Sequence, residues 1–238
     1  MEKDITNILK SWKYQPDTLI IRKILGDDGK EKIQIRIDMG ILQMETNGRP
    51  DGKTPHNSKS LLQYYESLIK EFIEKYGDAS NFKLNKKDME ELDDELIQYY
   101  HRRICFFALG DYEQARENAE HNLSLMDIIS GYSDNKEYIE SHEKYRPFVL
   151  MERARAASLD CINRSDYAGA MENVNHAIEL INDFYQKHGF SENELQQSRE
   201  LTILRKWQEQ IHRDWEGGIT ELDVDDDDYQ DNNNLFNI

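Results

Sequence analysis

Two pairs of side chains repeat a spacing at which metal or proton chemistry can be built. Glu117 and His121 stand four residues apart, and Glu172 and His176 repeat the spacing 55 residues later. Each pair shares a helix face, and imidazole with carboxylate suits zinc or iron. The competing reading, that duplication copied a solvated helix face, is preferred, so no metal ligand and no cofactor is assigned. A second candidate is the loop from Gly48 to His56, with its Arg49-Pro50-Asp51-Gly52-Lys53 core. Gly48, Arg49, Gly52 and Lys53 form a candidate anion-binding loop, in which backbone amides and two cations would hold a carboxylate or phosphate. The plainer alternative is a tight strand-to-helix connection in which Arg49 pairs with an acidic neighbour. No Gly-Lys-Ser/Thr sequence follows Gly48 at the spacing a P-loop requires. Acyl-transfer chemistry finds no Gly-x-Ser-x-Gly turn. Cys105 and Cys161 fall at apolar helix positions rather than in an activating setting. The carboxylates Glu90, Glu91, Asp93, Asp94 and Glu95 read as a charged helix face. No catalytic residue is assigned, and the chain reads as non-enzymatic.

The elements that would position these groups are mostly helical. Ile5, Ile8, Leu9 and Trp12 make the stripe of a short amphipathic helix. Thr18–Leu25 and Lys32–Asp38 read as strands, and Gly26-Asp27-Asp28-Gly29 between them predicts a β-hairpin. The second strand is expected to continue through Met39, Ile41 or Leu42, and Met44, with a bulge near Gly40 where the alternation shifts phase. Helices follow over 58–76, 86–109, 111–129, 147–163, 166–187 and 192–215. Ser58 or Ser60 and Asn85 are candidate caps, and Gly77 is a candidate stop. Residues 219–238 are acidic and Asn-rich and are expected to be disordered. The predicted organisation is a helix and β-hairpin module over 1–57, a helical domain over 58–218, and an acidic tail over 219–238.

Within the helical part the sequence repeats itself. Asp111-Tyr112-Glu113-Gln114-Ala115 matches Asp166-Tyr167-Ala168-Gly169-Ala170, and Glu, Asn and His recur at matching positions beyond. Each copy follows one helix and opens another, and the small Ala115 and Ala170 let two antiparallel helices approach closely. Gly110-Asp111-Tyr112-Glu113-Gln114-Ala115 resembles the opening of the second helix of a tetratricopeptide repeat (TPR). Ala154, Ala157, Ser158 and Cys161 match the small residues that family favours in the preceding helix. The first copy departs, with Arg102 and Arg103 at the corresponding places. The proline that ends each family repeat is missing, and the spacing exceeds the usual one, with an insertion over 130–146. The resemblance covers residues 86–187. It implies a mainly α fold of TPR-like helical hairpins whose first helices line a partner-binding groove. Ile97, Tyr100, Ile104 and Phe107 would come from the first hairpin, and Arg155, Leu159 and Ile162 from the second. The run from Ile41 to Lys53, followed by helical hairpins, is also similar to a group of uncharacterised bacterial proteins. Some of those carry a UvrB/UvrC-type motif, which is absent here.

Bulk composition sets the class of partner. The formal net charge is −17, of which Glu221, Asp223, Asp225, Asp226, Asp227, Asp228 and Asp231 supply seven, leaving −10 on residues 1–220. Such a body repels phosphate backbones. The expected partner is therefore a protein or peptide, preferably basic, and direct nucleic-acid binding is not expected. Two further readings stand beside this adaptor: a small enzyme or ligand-binding protein using the Gly48–His56 loop, and a regulatory subunit whose acidic tail engages a basic partner. No apolar run approaches the roughly 20 residues that span a bilayer. Met1-Glu2-Lys3-Asp4 lacks the pattern of a secretory signal, so the expected location is cytoplasmic.

Overall fold

The computed structural model describes residues 4–217. The chain forms α1 (Thr6–Ser11), then strands β1 (Ile21–Leu25), β2 (Glu31–Ile37) and β3 (Gly40–Glu45). Helices α2 (Leu61–Tyr76), α3 (Lys86–Ala108), α4 (Tyr112–Tyr132), α5 (Lys136–Glu143), α6 (Arg146–Asn163), α7 (Tyr167–Lys187), α8 (Glu192–Gln196) and α9 (Arg199–Gly217) follow. The fold is mainly helical, with a small antiparallel sheet in the order β1-β2-β3. The acidic tail lies outside the described residues.

Local chemistry explains most element boundaries. The Ser60 side chain accepts from the Gln63 amide to open α2, and Gly77, at φ 91°, closes it. Asn85 and Asp88 form a reciprocal capping box at the start of α3. The two repeat copies turn in the same way, with left-handed backbone at Gly110 (φ 73°) and at Ser165 (φ 59°). Their aspartates diverge. Asp166 caps α7 through the Gly169 amide at 2.9 Å, whereas Asp111 turns to Lys23 of β1 at 3.1 Å.

Three sequence expectations need correction. Ile37 pairs with Gly40 across the sheet, so Asp38 and Met39 form a tight turn where a bulge was expected, and the continued strand is a third strand running back. The 130–146 insertion contains α5, opened by Asn135 accepting from the Tyr138 amide at 3.1 Å. The single helix expected over 192–215 is two, because Ser198 starts α9 by accepting from the Leu201 amide at 3.3 Å.

The helices pack in chain order: α3 on α4, α4 on α6, α6 on α7, and α7 on α9, with α9 also touching α6. Small residues permit this spacing. Ala119 of α4, Ala154 of α6, and Ala170 and Ala177 of α7 are all buried among Leu123, Met126, Val174, Ile181 and Leu204. A second core joins the sheet to the helices: Ile33, Ile35 and Met44 pack with Phe106, Phe107, Ala156 and Leu159. The opposite face of β2 is buried as well, although its residues are Lys32, Gln34 and Arg36. Each is answered there. Lys32 pairs with Asp28 and Glu45, Gln34 bonds Gln43 at 2.8 Å, and Arg36 donates to the Trp12 carbonyl at 2.7 Å.

Candidate functional site

The Gly48–His56 loop is held from below by one carboxylate. Glu95 of α3 is fully buried. It accepts from the Leu61 and Leu62 amides at 2.7 and 3.1 Å, so it caps the α2 N-terminus with a negative charge, the sign that end of a helix favours. His121 of α4 meets it at 2.9 Å, and Arg49 lies 3.3 Å away. Arg49 also forks onto Asp51 with two bonds of 3.0 Å. Its guanidinium is therefore engaged by two carboxylates, and it is 7% exposed. Of the four residues of the candidate anion loop, Gly48 gives its carbonyl to Tyr99 and Arg102, and Gly52 closes a turn onto the Arg49 carbonyl. Lys53 remains open to solvent beside Asp51. A cleft of about 370 Å³ flanks the loop, lined by Lys53, His56, Glu91 and Asp94 among others. Its lining carries both signs of charge and no unengaged arginine.

The two Glu/His pairs stand in different surroundings, and His121 is engaged away from Glu117. Its ring stacks flat on Tyr99 at 3.4 Å and bonds Glu95. Burial pushes its pKa down, against the raising effect of the Glu95 bond. Its repeat counterpart His176 is exposed, as are Glu117 and Glu172. Among the described residues no group of three metal-ligating side chains forms.

The seven residues expected to line a groove separate into three environments. Ile104, Phe107, Arg155 and Leu159 are buried, at 5%, 6%, 6% and 2% exposure. Phe107 and Leu159 belong to the core shared with the sheet, so the N-terminal strands close that end of the α3–α6 face. Ile162 packs against the main helical core instead. Ile97 is 54% exposed and Tyr100 is partly exposed. These two keep the other end of the face accessible, and the exposed Tyr145 lies just before α6.

That accessible end has a charged floor. Arg103 of α3 approaches Glu152 of α6 at 3.4 Å, and Arg155 donates to the same carboxylate at 3.1 Å. Aromatic rings surround the guanidinium groups: Tyr100 and Phe148 lie 5.1 and 5.3 Å from Arg103, and Phe107 lies 5.3 Å from Arg155. Burial raises the Tyr100 pKa, with the Arg103 charge opposing, and keeps the phenol neutral. Helical spacing places these groups in two stripes, Ile97-Tyr100-Arg103-Phe107 on α3 and Tyr145-Phe148-Glu152-Arg155 leading into α6. Sequence reasoning missed Arg103, Glu152, Phe148 and Tyr145. The available signal was the pair Arg102 and Arg103, standing where small residues were expected. Arg102 anchors the sheet and loop through Asn118 and the carbonyls of Glu45 and Gly48. Arg103 faces α6.

Compared with known proteins, the chain matches no family model, no curated protein and no solved structure.

Proposed function

We propose that this protein is a non-enzymatic adaptor of TPR-like architecture, which binds a partner protein or peptide along the accessible end of the α3–α6 face. The observation that carries the reading is the composition of that face. Ile97 and Tyr100 of α3, Phe148 of α6 and Tyr145 just before it stand with Arg103, Glu152 and Arg155. Aromatic side chains with arginine are the residues from which interface hot spots are drawn. The stepwise packing of α3, α4, α6, α7 and α9 supports the TPR-like description, since first helices of successive hairpins then share one side. Bulk charge argued for a basic partner, but the floor of this face is locally cationic, with two arginines against one glutamate. It suits a segment that brings a carboxylate beside an apolar side chain. The test is capture and titration of a partner with the wild-type chain, Tyr100→Phe and Tyr145→Ala. The Tyr100 hydroxyl makes no hydrogen bond within the protein, so Tyr100→Phe should leave the melting temperature unchanged or raised. Partner affinity should fall for both variants. Two folded variants with undiminished affinity would refute the assignment.

A further inference from the structure

Three glycines follow an aspartate or asparagine, in Asp28-Gly29, Asn47-Gly48 and Asp51-Gly52, and one serine follows an asparagine, in Asn57-Ser58. In such pairs the second residue's amide nitrogen can close a ring on the first residue's side-chain carbonyl carbon. The fold ties up that nitrogen in three of the four pairs. The Gly29 amide donates to the Gly26 carbonyl, the Gly52 amide to Arg49 and the Ser58 amide to Pro55, at 2.9, 2.9 and 2.8 Å. The Gly48 amide makes no hydrogen bond among the described residues. Gly48 is held by its carbonyl instead, which accepts from Tyr99 at 3.1 Å and from Arg102 at 2.7 Å. Asn47 and Gly48 are both exposed, and the Asn47 side chain makes one bond, from Nδ2 to the Thr46 hydroxyl at 3.2 Å. With no Cβ on Gly48, nothing on that residue crowds its nitrogen.

We propose that Asn47 is a site of spontaneous deamidation, and that its product loosens the joint between the sheet and α3. Base removes the Gly48 amide proton, and that nitrogen attacks Cγ of Asn47. The N–Cγ bond forms, the Cγ–Nδ2 bond breaks, and Nδ2 leaves as ammonia. Water then opens the resulting succinimide at either carbonyl. One opening gives aspartate; the other gives isoaspartate, in which the main chain runs through the former side chain. No electron is transferred, and water is the only co-reactant. The consequence follows from Arg102. Its Nη1 donates to the Glu45 carbonyl at 3.0 Å as well as to Gly48, so the main chain over 45–48 is clamped at both ends by one nitrogen. Isoaspartate lengthens that span by a methylene, and the present geometry cannot keep both bonds. Arg102 is 4% exposed, so water does not replace the bond it loses. Asn47, Gly48 and Arg102 lie outside the α3–α6 face, and the inference stands apart from the adaptor reading.

The experiment ages the full chain at neutral pH and locates deamidation and isoaspartate by peptide mapping with electron-transfer fragmentation. Asn47 is expected to lose its amide nitrogen while Asn57 keeps its own, with isoaspartate as the main product. In urea the Ser58 amide is freed, and Asn57 should then react as well. The modified fraction should show at least about fivefold faster amide hydrogen exchange over 45–49 and 99–102 than the fresh chain. Asn47→Gln places a longer side chain at an exposed position and does not close the same ring, so it should age with its exchange pattern unchanged. An intact Asn47, or an Asn57 that reacts as fast as Asn47 in the folded chain, would overturn the site. An Asn57 that stays inert in urea would overturn the protection assigned to the amide bonds. Unchanged exchange in the modified fraction, or the same loosening in aged Asn47→Gln, would overturn the effect on the joint.

Discussion

Replacing Glu95 with alanine should be the most damaging single substitution near the Gly48–His56 loop. The carboxylate is fully buried and serves four partners: the Leu61 and Leu62 amides, His121 and Arg49. Removing one member of a buried pair costs about 3–5 kcal/mol, because the other charge is left unanswered. Arg49 retains Asp51, which puts the pair near the lower end of that range. Two orphaned helix amides add about 1 kcal/mol. The expected total is about 4 kcal/mol, and a domain of this size loses about 2–4 °C per kcal/mol. The melting midpoint should therefore fall by about 8–16 °C, as followed by far-ultraviolet circular dichroism. Glu95→Gln keeps the shape and one acceptor and should fall between. The exposed Glu90→Ala should change little. If Glu95→Ala melts within about 2 °C of Glu90→Ala, Glu95 does not organise this loop and the helix-capping argument is wrong.

Three further outcomes test the packing and the turns. Ala170→Leu should lower stability by about 1–3 kcal/mol by overpacking the α7 crossing, while the exposed Ala168→Leu stays near wild type; chemical denaturation separates them. Ser165 holds the left-handed backbone that Gly110 adopts in the other copy, so Ser165→Gly should raise stability by about 0.5–1 kcal/mol, and a loss would show that the Ser side chain is needed. His142 gives a pH signature: burial disfavours its charge, but bonds to Asp93 and the Tyr138 carbonyl outweigh that and raise its pKa. A raised folded pKa contributes stability that is fully present below the unfolded value of about 6.5 and is lost as pH rises through the folded value. The destabilisation by His142→Asn should thus be larger at pH 5.5 than at pH 8.5; an equal or reversed difference would exclude the Asp93 pairing.

The helices were legible because their signals are local. Asn85, Ser60 and Gly77 cap or stop where their chemistry requires, and the Asp-Tyr-x-x-Ala copies open α4 and α7. The break at Ser198 was harder to see, because a serine cap lay within a continuous apolar stripe. The third strand was missed because Gly40 suggested a bulge, whereas the turn falls at Asp38 and Met39, neither of them glycine. The site was only partly legible. The TPR resemblance implied which residues of α3 and α6 share a side, but not that Ile33, Ile35 and Met44 would cover the Phe107 and Leu159 end, a contact between segments far apart in sequence. Arg103 and Glu152 were passed over for the same reason, since spacing sets the face each occupies on its own helix but not that the two helices bring them together.

The most direct test of the adaptor account is amide hydrogen exchange of the full chain, alone and saturated with the partner it captures. Slower exchange in residues 97–107 and 145–159, with 61–76 and 167–187 unchanged, is the predicted result. Protection confined to the Gly48–His56 loop, with the α3 and α6 segments unaffected, would contradict it.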